Sequence, residues 1–187
     1  EPPAVPEHLR PLGLRVHDDS RLVDGIRRVD TGHHLVTMHP LSFLSSSEEF
    51  HQETWLDFNM IQTHVYPHYI VPLVSGDWDR TPPKPTLNAE GWYEGEEGLY
   101  EIRARIRRAE GETYDPGWIQ RYQAYWSVFY GGIGYTYGHM NLWCMHPTEA
   151  YWETDREERN KVPGVLMQSA LDAPGSADLC HLRALIE

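Results

Sequence analysis

The chain has 187 residues, with 16 Lys+Arg against 28 Asp+Glu and a formal net charge of −12. That balance argues against a nucleic-acid binder, because phosphate-backbone affinity rests on clustered cations. No apolar run reaches the roughly 18 residues of a membrane-spanning helix, and the two cysteines, Cys144 and Cys180, lack metal-ligand spacing and are too few for a disulfide framework.

Residues 1–20 are rich in proline and charge and read as an irregular lead-in. Ser20 is a candidate cap for a helix over Arg21–Val29, where Leu22, Val23, Ile26 and Val29 recur at helical spacing. A short apolar run, Leu35–Met38, predicts a strand ending at His39-Pro40. Ser45-Ser-Ser-Glu-Glu49 reads as a loop running into a capped turn. A second strand is predicted over Leu56–Ile61, with His64 just beyond it. On it Asp57 and Asn59 share one parity and Phe58 and Met60 the other, so one of these sets faces the interior.

Tyr66–Val74 is predicted helical, ending at Gly76-Asp77-Trp78. The link Thr81-Pro-Pro-Lys-Pro85 leads into a third strand, Thr86-Leu87, which ends at Asn88-Ala89-Glu90 and is followed by Trp92, Tyr93 and Glu94. Gly95–Tyr114 is a long charged insertion. Its cluster Arg103, Arg105, Arg107 and Arg108 is flanked by Glu101 and Glu110 and reads as a solvated face. Pro116–Tyr130 is an amphipathic helix carrying Trp118, Ile119, Tyr122, Trp126 and Phe129. A last short strand lies around Ile133–Thr136, and Glu149–Asn160 is a polar excursion. Val162–Leu171 and Ala177–Ile186 are closing helices with Pro174-Gly175 between them.

Strands alternating with helices imply an α/β fold of parallel βαβ units. Polar and aromatic residues gathered at the strand ends imply one shared site, as at the C-terminal face of a (β/α)8 barrel. Glu90, delivered by a buried strand among aromatic rings, has the form of a glycosidase carboxylate. The 7 Trp and 11 Tyr suit sugar stacking as well as core packing. There are 11 histidines, but no His-x-His pair on a strand and no His-Glu-x-x-His helix, so neither a metal nor another cofactor is expected.

The ordered segments carry a resemblance. They are Asp30-x-x-His33-His34-Leu-Val-Thr-x-His39-Pro40, then Trp55-Leu-Asp-Phe-x-Met-x-Gln62-x-His64, then Lys84-Pro85 with Glu90-x-x-Tyr93-Glu94. Arg121-x-x-Ala-Tyr-Trp126, Gly134-x-Thr-Tyr137-Gly138-His139 and Ala170-Leu-x-x-Pro174-Gly175 follow. Over about residues 30 to 187 this set resembles the second half of the apiosidase-like glycoside hydrolases, TIM barrels of the large retaining clan.

The resemblance implies a single domain over residues 1–187, an incomplete (β/α)8 TIM barrel covering roughly strands five to eight. Glu90 then ends strand seven, where this clan carries its nucleophile. The acid/base is implied at the end of strand four, in a Gly-Gly-Asp type motif that does not occur here. A whole barrel takes roughly 250 residues. The N-terminal half of the barrel is therefore expected upstream of residue 1 as a missing partner, with this fragment inactive alone. The implied reaction is retaining hydrolysis of apiose linkages in plant pectin. His39, His64 and His139 are expected to bond sugar hydroxyls or the catalytic carboxylates. Tyr93 or Tyr137 would bond the nucleophile, Trp92, Trp143 and Tyr135 would form sugar platforms, and Glu94 would hold a loop or contact substrate. Two other readings stand beside this one: a non-catalytic carbohydrate-binding or scaffold fragment, and a metal-dependent TIM-barrel hydrolase. The compartment stays open, with a periplasmic or secreted location among the options.

Overall fold

The computed structural model describes residues 20–64, 66–95, 117–143 and 167–187. The lead-in before Ser20, nearly all of the charged insertion, Cys144, the polar excursion and the start of the helix expected at Val162 lie outside the described residues. The chain groups into two compact units. The first holds Glu1–Glu90 with Trp126–Thr136, and the second holds Gly91–Tyr125 with Tyr137–Glu187.

The first unit is built on a parallel sheet of β1 (Asn59–Gln62), β2 (Thr86–Glu90) and β3 (Gly134–Tyr135), with β2 in the centre. Asn59 pairs with Thr86 and Ile61 with Asn88. A bulge between Ile61 and Gln62 then sets Gln62 opposite Glu90. Leu87 pairs with Gly134 and Asn88 with Tyr135. Helix α1 (Ser20–Val29) precedes the sheet, as does the single turn α2 (Ser47–Phe50). A 3-10 turn at Pro67–Tyr69 and helix α3 (Ile70–Trp78) connect β1 to β2. Helix α4 (Trp118–Phe129) precedes β3 and belongs to the first unit from Trp126 onward.

Strand parity separates two faces. Ile61 points toward the helix layer and forms a core with Ile70, Leu73 and Val74. Asn59, Thr86 and Asn88 share that face and are buried, while Met60, Leu87 and Ala89 on the other face are half-buried. Buried polar strand residues need partners. Thr86 Oγ1 donates to Asp77 Oδ2 at 3.0 Å, and Asn88 Nδ2 donates to Ser127 Oγ at 3.0 Å.

Asp77 sits at the centre of a buried polar cluster. Ser45 Oγ donates to its Oδ2 at 2.8 Å, and Ser47 Oγ donates to its Oδ1. Burial pushes the Asp77 carboxyl above its ordinary value, while the hydroxyls of Ser47, Ser45 and Thr86 and the charge of Arg80 oppose the shift. The serine run therefore serves Asp77. Ser45 Oγ also accepts from Ser47 N at 3.1 Å, while the N-cap residue Ser46 makes no side-chain cap bond and its Oγ instead accepts from Met60 N at 2.9 Å.

The strand expected over Leu35–Met38 does not form. Its polar groups are taken by other partners. Val36 N donates to Asp57 Oδ2 at 2.6 Å, Asp57 N donates to Val36 O at 2.9 Å, and Thr37 Oγ1 donates to Phe58 O at 2.6 Å. A side chain thus occupies the backbone donor that a ladder would need. Arg27 fixes the same Asp57 carboxylate at 3.1 Å and reaches His34 O at 2.6 Å. Only Val23 of the expected α1 stripe is buried, and Leu22, Ile26 and Val29 are exposed.

The second unit holds the start of α4, then α5 (Met140–Trp143), α6 (Met167–Ala170) and α7 (Pro174–Ile186). Pro174-Gly175 opens α7 and does not separate two helices. Proline suits a first helical position because the N–H it lacks has no intrahelical partner there. Arg121 pairs with Asp178 of α7. Of the face expected of α4, Ile119 is buried and Tyr122 half-buried, but Trp118, Trp126 and Phe129 are exposed, while Gln120, Gln123 and Ser127 are fully buried. In the second unit the two glutamines hold one peptide. Trp92 N donates to Gln123 Oε1 at 2.6 Å, and Gln120 Nε2 donates to Trp92 O at 2.7 Å. Trp126 instead stacks on Tyr130, with centroids 5.0 Å apart and planes at 14°. No helix among the described residues is long and apolar enough to cross a membrane.

Candidate active site

Because the strands of the first unit are parallel, Gln62, Glu90 and Tyr135 finish at the same end of the sheet. Glu90 closes the central strand, and its side chain is 25% exposed. His39, from the segment that forms no strand, meets it there. His39 Nε2 lies 3.1 Å from Glu90 Oε2, and His39 Nδ1 lies 2.9 Å from Pro40 O.

His64 approaches through its backbone. Thr63 N and His64 N both donate to Glu90 O, at 2.9 and 3.2 Å, which ties the end of β1 to the end of β2. His64 adopts φ +47°, a left-handed conformation uncommon outside glycine. Desolvation lowers the His64 pKa from its ordinary value, and the Glu90 charge pulls the other way. The Phe43 ring stands edge-on to the His64 ring at 6.3 Å and packs on Tyr66 at 5.2 Å and Tyr69 at 5.5 Å. Sequence reasoning did not single out these three rings. Phe43 also has a positive φ, +69°, and nothing in its local sequence marks it.

The other candidate residues lie in the second unit. Trp92 is 3% exposed, so it is a core ring with no open face for a sugar, contrary to the platform expected. Tyr93 is half-buried, and its ring lies where a Cβ on Gly138 would be. Glu94 is 2% exposed. Tyr137 Oη donates to its Oε2 at 2.8 Å, and Gly175 N donates to its Oε1 at 3.1 Å. His139 is buried and uses Nδ1 to accept from Asn141 N at 3.0 Å, holding the first turn of α5. Trp143 is exposed. Among the described residues no three of His, Cys, Asp and Glu converge as a metal-ligand group.

A model of the apiosidase-like catalytic domain matches residues 16–187. The chain belongs to the apiosidase-like family.

Two solved structures resemble this apiosidase-like chain. A glycoside hydrolase family 5 protein from Bacteroides vulgatus superposes with a TM-score of 0.66 at 28% identity, over 89% of this chain and 36% of its own. A second structure, a glycoside hydrolase, does so with a TM-score of 0.66 at 26% identity, over 89% and 38%. No curated protein matches the chain. The chain thus spans little more than a third of the structures it resembles. Its fold is TIM-barrel-like, and its family is one of glycoside hydrolases.

Proposed function

We propose that this chain supplies the nucleophile side of a retaining glycosidase acting on apiose-containing plant cell-wall glycans. In this reading β1, β2 and β3 are strands six, seven and eight of a (β/α)8 barrel. Glu90 attacks the anomeric carbon, and a second carboxyl group, roughly 5–5.5 Å away, protonates the leaving oxygen and then activates water. One observation carries the reading: Glu90 ends the central strand of the parallel sheet, half-buried, with one oxygen against His39. Chemistry in barrels of this type gathers at that end of the strands. The apiose specificity is taken from the family's description.

The test uses the natural protein that carries this chain. Glu90→Gln should lower kcat on an aryl apioside by several orders of magnitude with an unchanged far-ultraviolet spectrum, since the covalent step has no substitute. Azide should partly rescue Glu90→Ala and give a product of inverted configuration. Near-normal activity in Glu90→Gln together with its loss in Glu94→Gln would move the nucleophile to Glu94. Loss of activity in chelator, restored by zinc, would favour a metal-dependent hydrolase.

A further inference from the structure

We infer that His39 is a positioning residue whose imidazolium stabilises Glu90 as a leaving carboxylate. The inference rests on the glycosidase reading. Pro40 O can only accept, so His39 Nδ1, 2.9 Å away, carries a hydrogen. His39 Nε2 faces Glu90 Oε2 at 3.1 Å, an ion-pair distance at which a bare imidazole nitrogen and a carboxylate oxygen would repel each other. A nucleophile must be ionised to attack, so the attraction places a proton on Nε2 and makes His39 the cation. The other histidine near Glu90 is poorly placed for the charge: His64 is desolvated, which lowers its pKa, and has the Phe43 ring against it.

The pairing acts unequally on the two chemical steps. In the first, a Glu90 oxygen gives its electron pair to the anomeric carbon. The glycosidic C–O bond breaks, and the leaving oxygen takes a proton from the carboxylic acid of the retaining pair. Glu90 loses its charge as the ester forms. In the second step a water oxygen bonds the anomeric carbon, its proton passes to the carboxylate of that pair, and the ester C–O bond breaks with its electrons returning to Glu90. Charge reappears beside the imidazolium. A cation attracts a carboxylate more strongly than a neutral ester. His39 therefore favours release of the glycosyl group and does not assist its capture.

The test is His39→Leu in the natural protein, assayed on dinitrophenyl apioside. The expected result is a burst of dinitrophenol, a glycosyl-enzyme visible in the intact mass, and a kcat about ten- to a hundredfold lower. The ratio kcat/KM, which reports the first step, should not fall. His39→Gln keeps a neutral donor and should lie between. A merely structural role would displace Glu90 and lower kcat and kcat/KM together, and that outcome overturns the inference. Glu90→Gln serves as the control: if it stays active, the underlying reading has failed instead. A measurement without substrate is nitrogen-15 NMR of histidine-labelled protein near neutral pH. Both His39 ring nitrogens should show protonated shifts, and a neutral pattern overturns the assignment.

Discussion

Glu94 caps a helix that begins 80 positions later in the chain. Gly175 N donates to Glu94 Oε1 at 3.1 Å across a separation of 81 positions, at the first turn of α7. The first N–H groups of a helix have no partner within it, and its N-terminus favours a negative charge. Ala173, the N-cap residue, offers no side-chain bond, so the carboxylate of Glu94 supplies one. Tyr137 holds the second oxygen. A Cβ on Gly175 would collide with Glu94 Oε2 and Gln120 Cγ, so only glycine lets the helix come this close.

Glu94 and Glu90 are therefore expected to separate in mutant behaviour. Glu94→Ala should lower stability by about 1–3 kcal/mol, the cost of a lost cap and a stranded phenol donor. Gly175→Ala should cost about as much through overpacking. Urea unfolding of each variant checks this. A Glu94→Ala protein with an unchanged midpoint and no hydrolysis would assign Glu94 to the chemistry.

Asp77 should govern stability from outside the site. Asp77→Ala strands the hydroxyls of Ser45, Ser47 and Thr86, all buried, at a cost of about 2–4 kcal/mol. The pH dependence has a definite sign. A carboxyl whose folded pKa is raised stabilises fully below its unfolded pKa, and that contribution is lost as pH rises through the folded value. The stability of Asp77→Asn relative to wild type should therefore improve from about pH 4 to pH 7. A gap between the two that is constant over that range would show that folding does not shift the Asp77 pKa.

The parts legible in sequence were those set by local pattern. Thr86–Glu90 is a strand where the short run after the prolines predicts one, and α4 lies within Pro116–Tyr130. What was not legible depends on distant partners. Leu35–Met38 has a strand's composition, but the Asp57 carboxylate 21 residues away takes the Val36 N–H. The aromatics of α4 look like a core face, yet the glutamines turn inward because the Trp92 peptide needs their amides. Glu90 and Glu94 both match the family pattern in sequence, Glu90 lying closer to the strand end. Their burial and bonding distinguish them, through His39 on one and Gly175 on the other.

His64 gives the last prediction, a second pH dependence of opposite sign. Its ring is partly desolvated with Phe43 against it, and burial lowers its pKa below the ordinary 6.5 although the Glu90 charge opposes this. A histidine with a lowered folded pKa stabilises fully above its unfolded pKa, and that contribution is lost as pH falls through the folded value. Acidification from about pH 7.5 to about pH 5 should therefore lower the urea midpoint of wild type more than that of His64→Asn. Asparagine suits the test because it accepts the left-handed conformation this position requires, φ +47°, and does not titrate. The backbone bonds from Thr63 and His64 to Glu90 O remain in the variant, so the end of β1 stays tied to the end of β2. Equal losses in the two proteins across this range would mean that the His64 ring is as well solvated folded as unfolded, and that the Phe43 ring does not shield it.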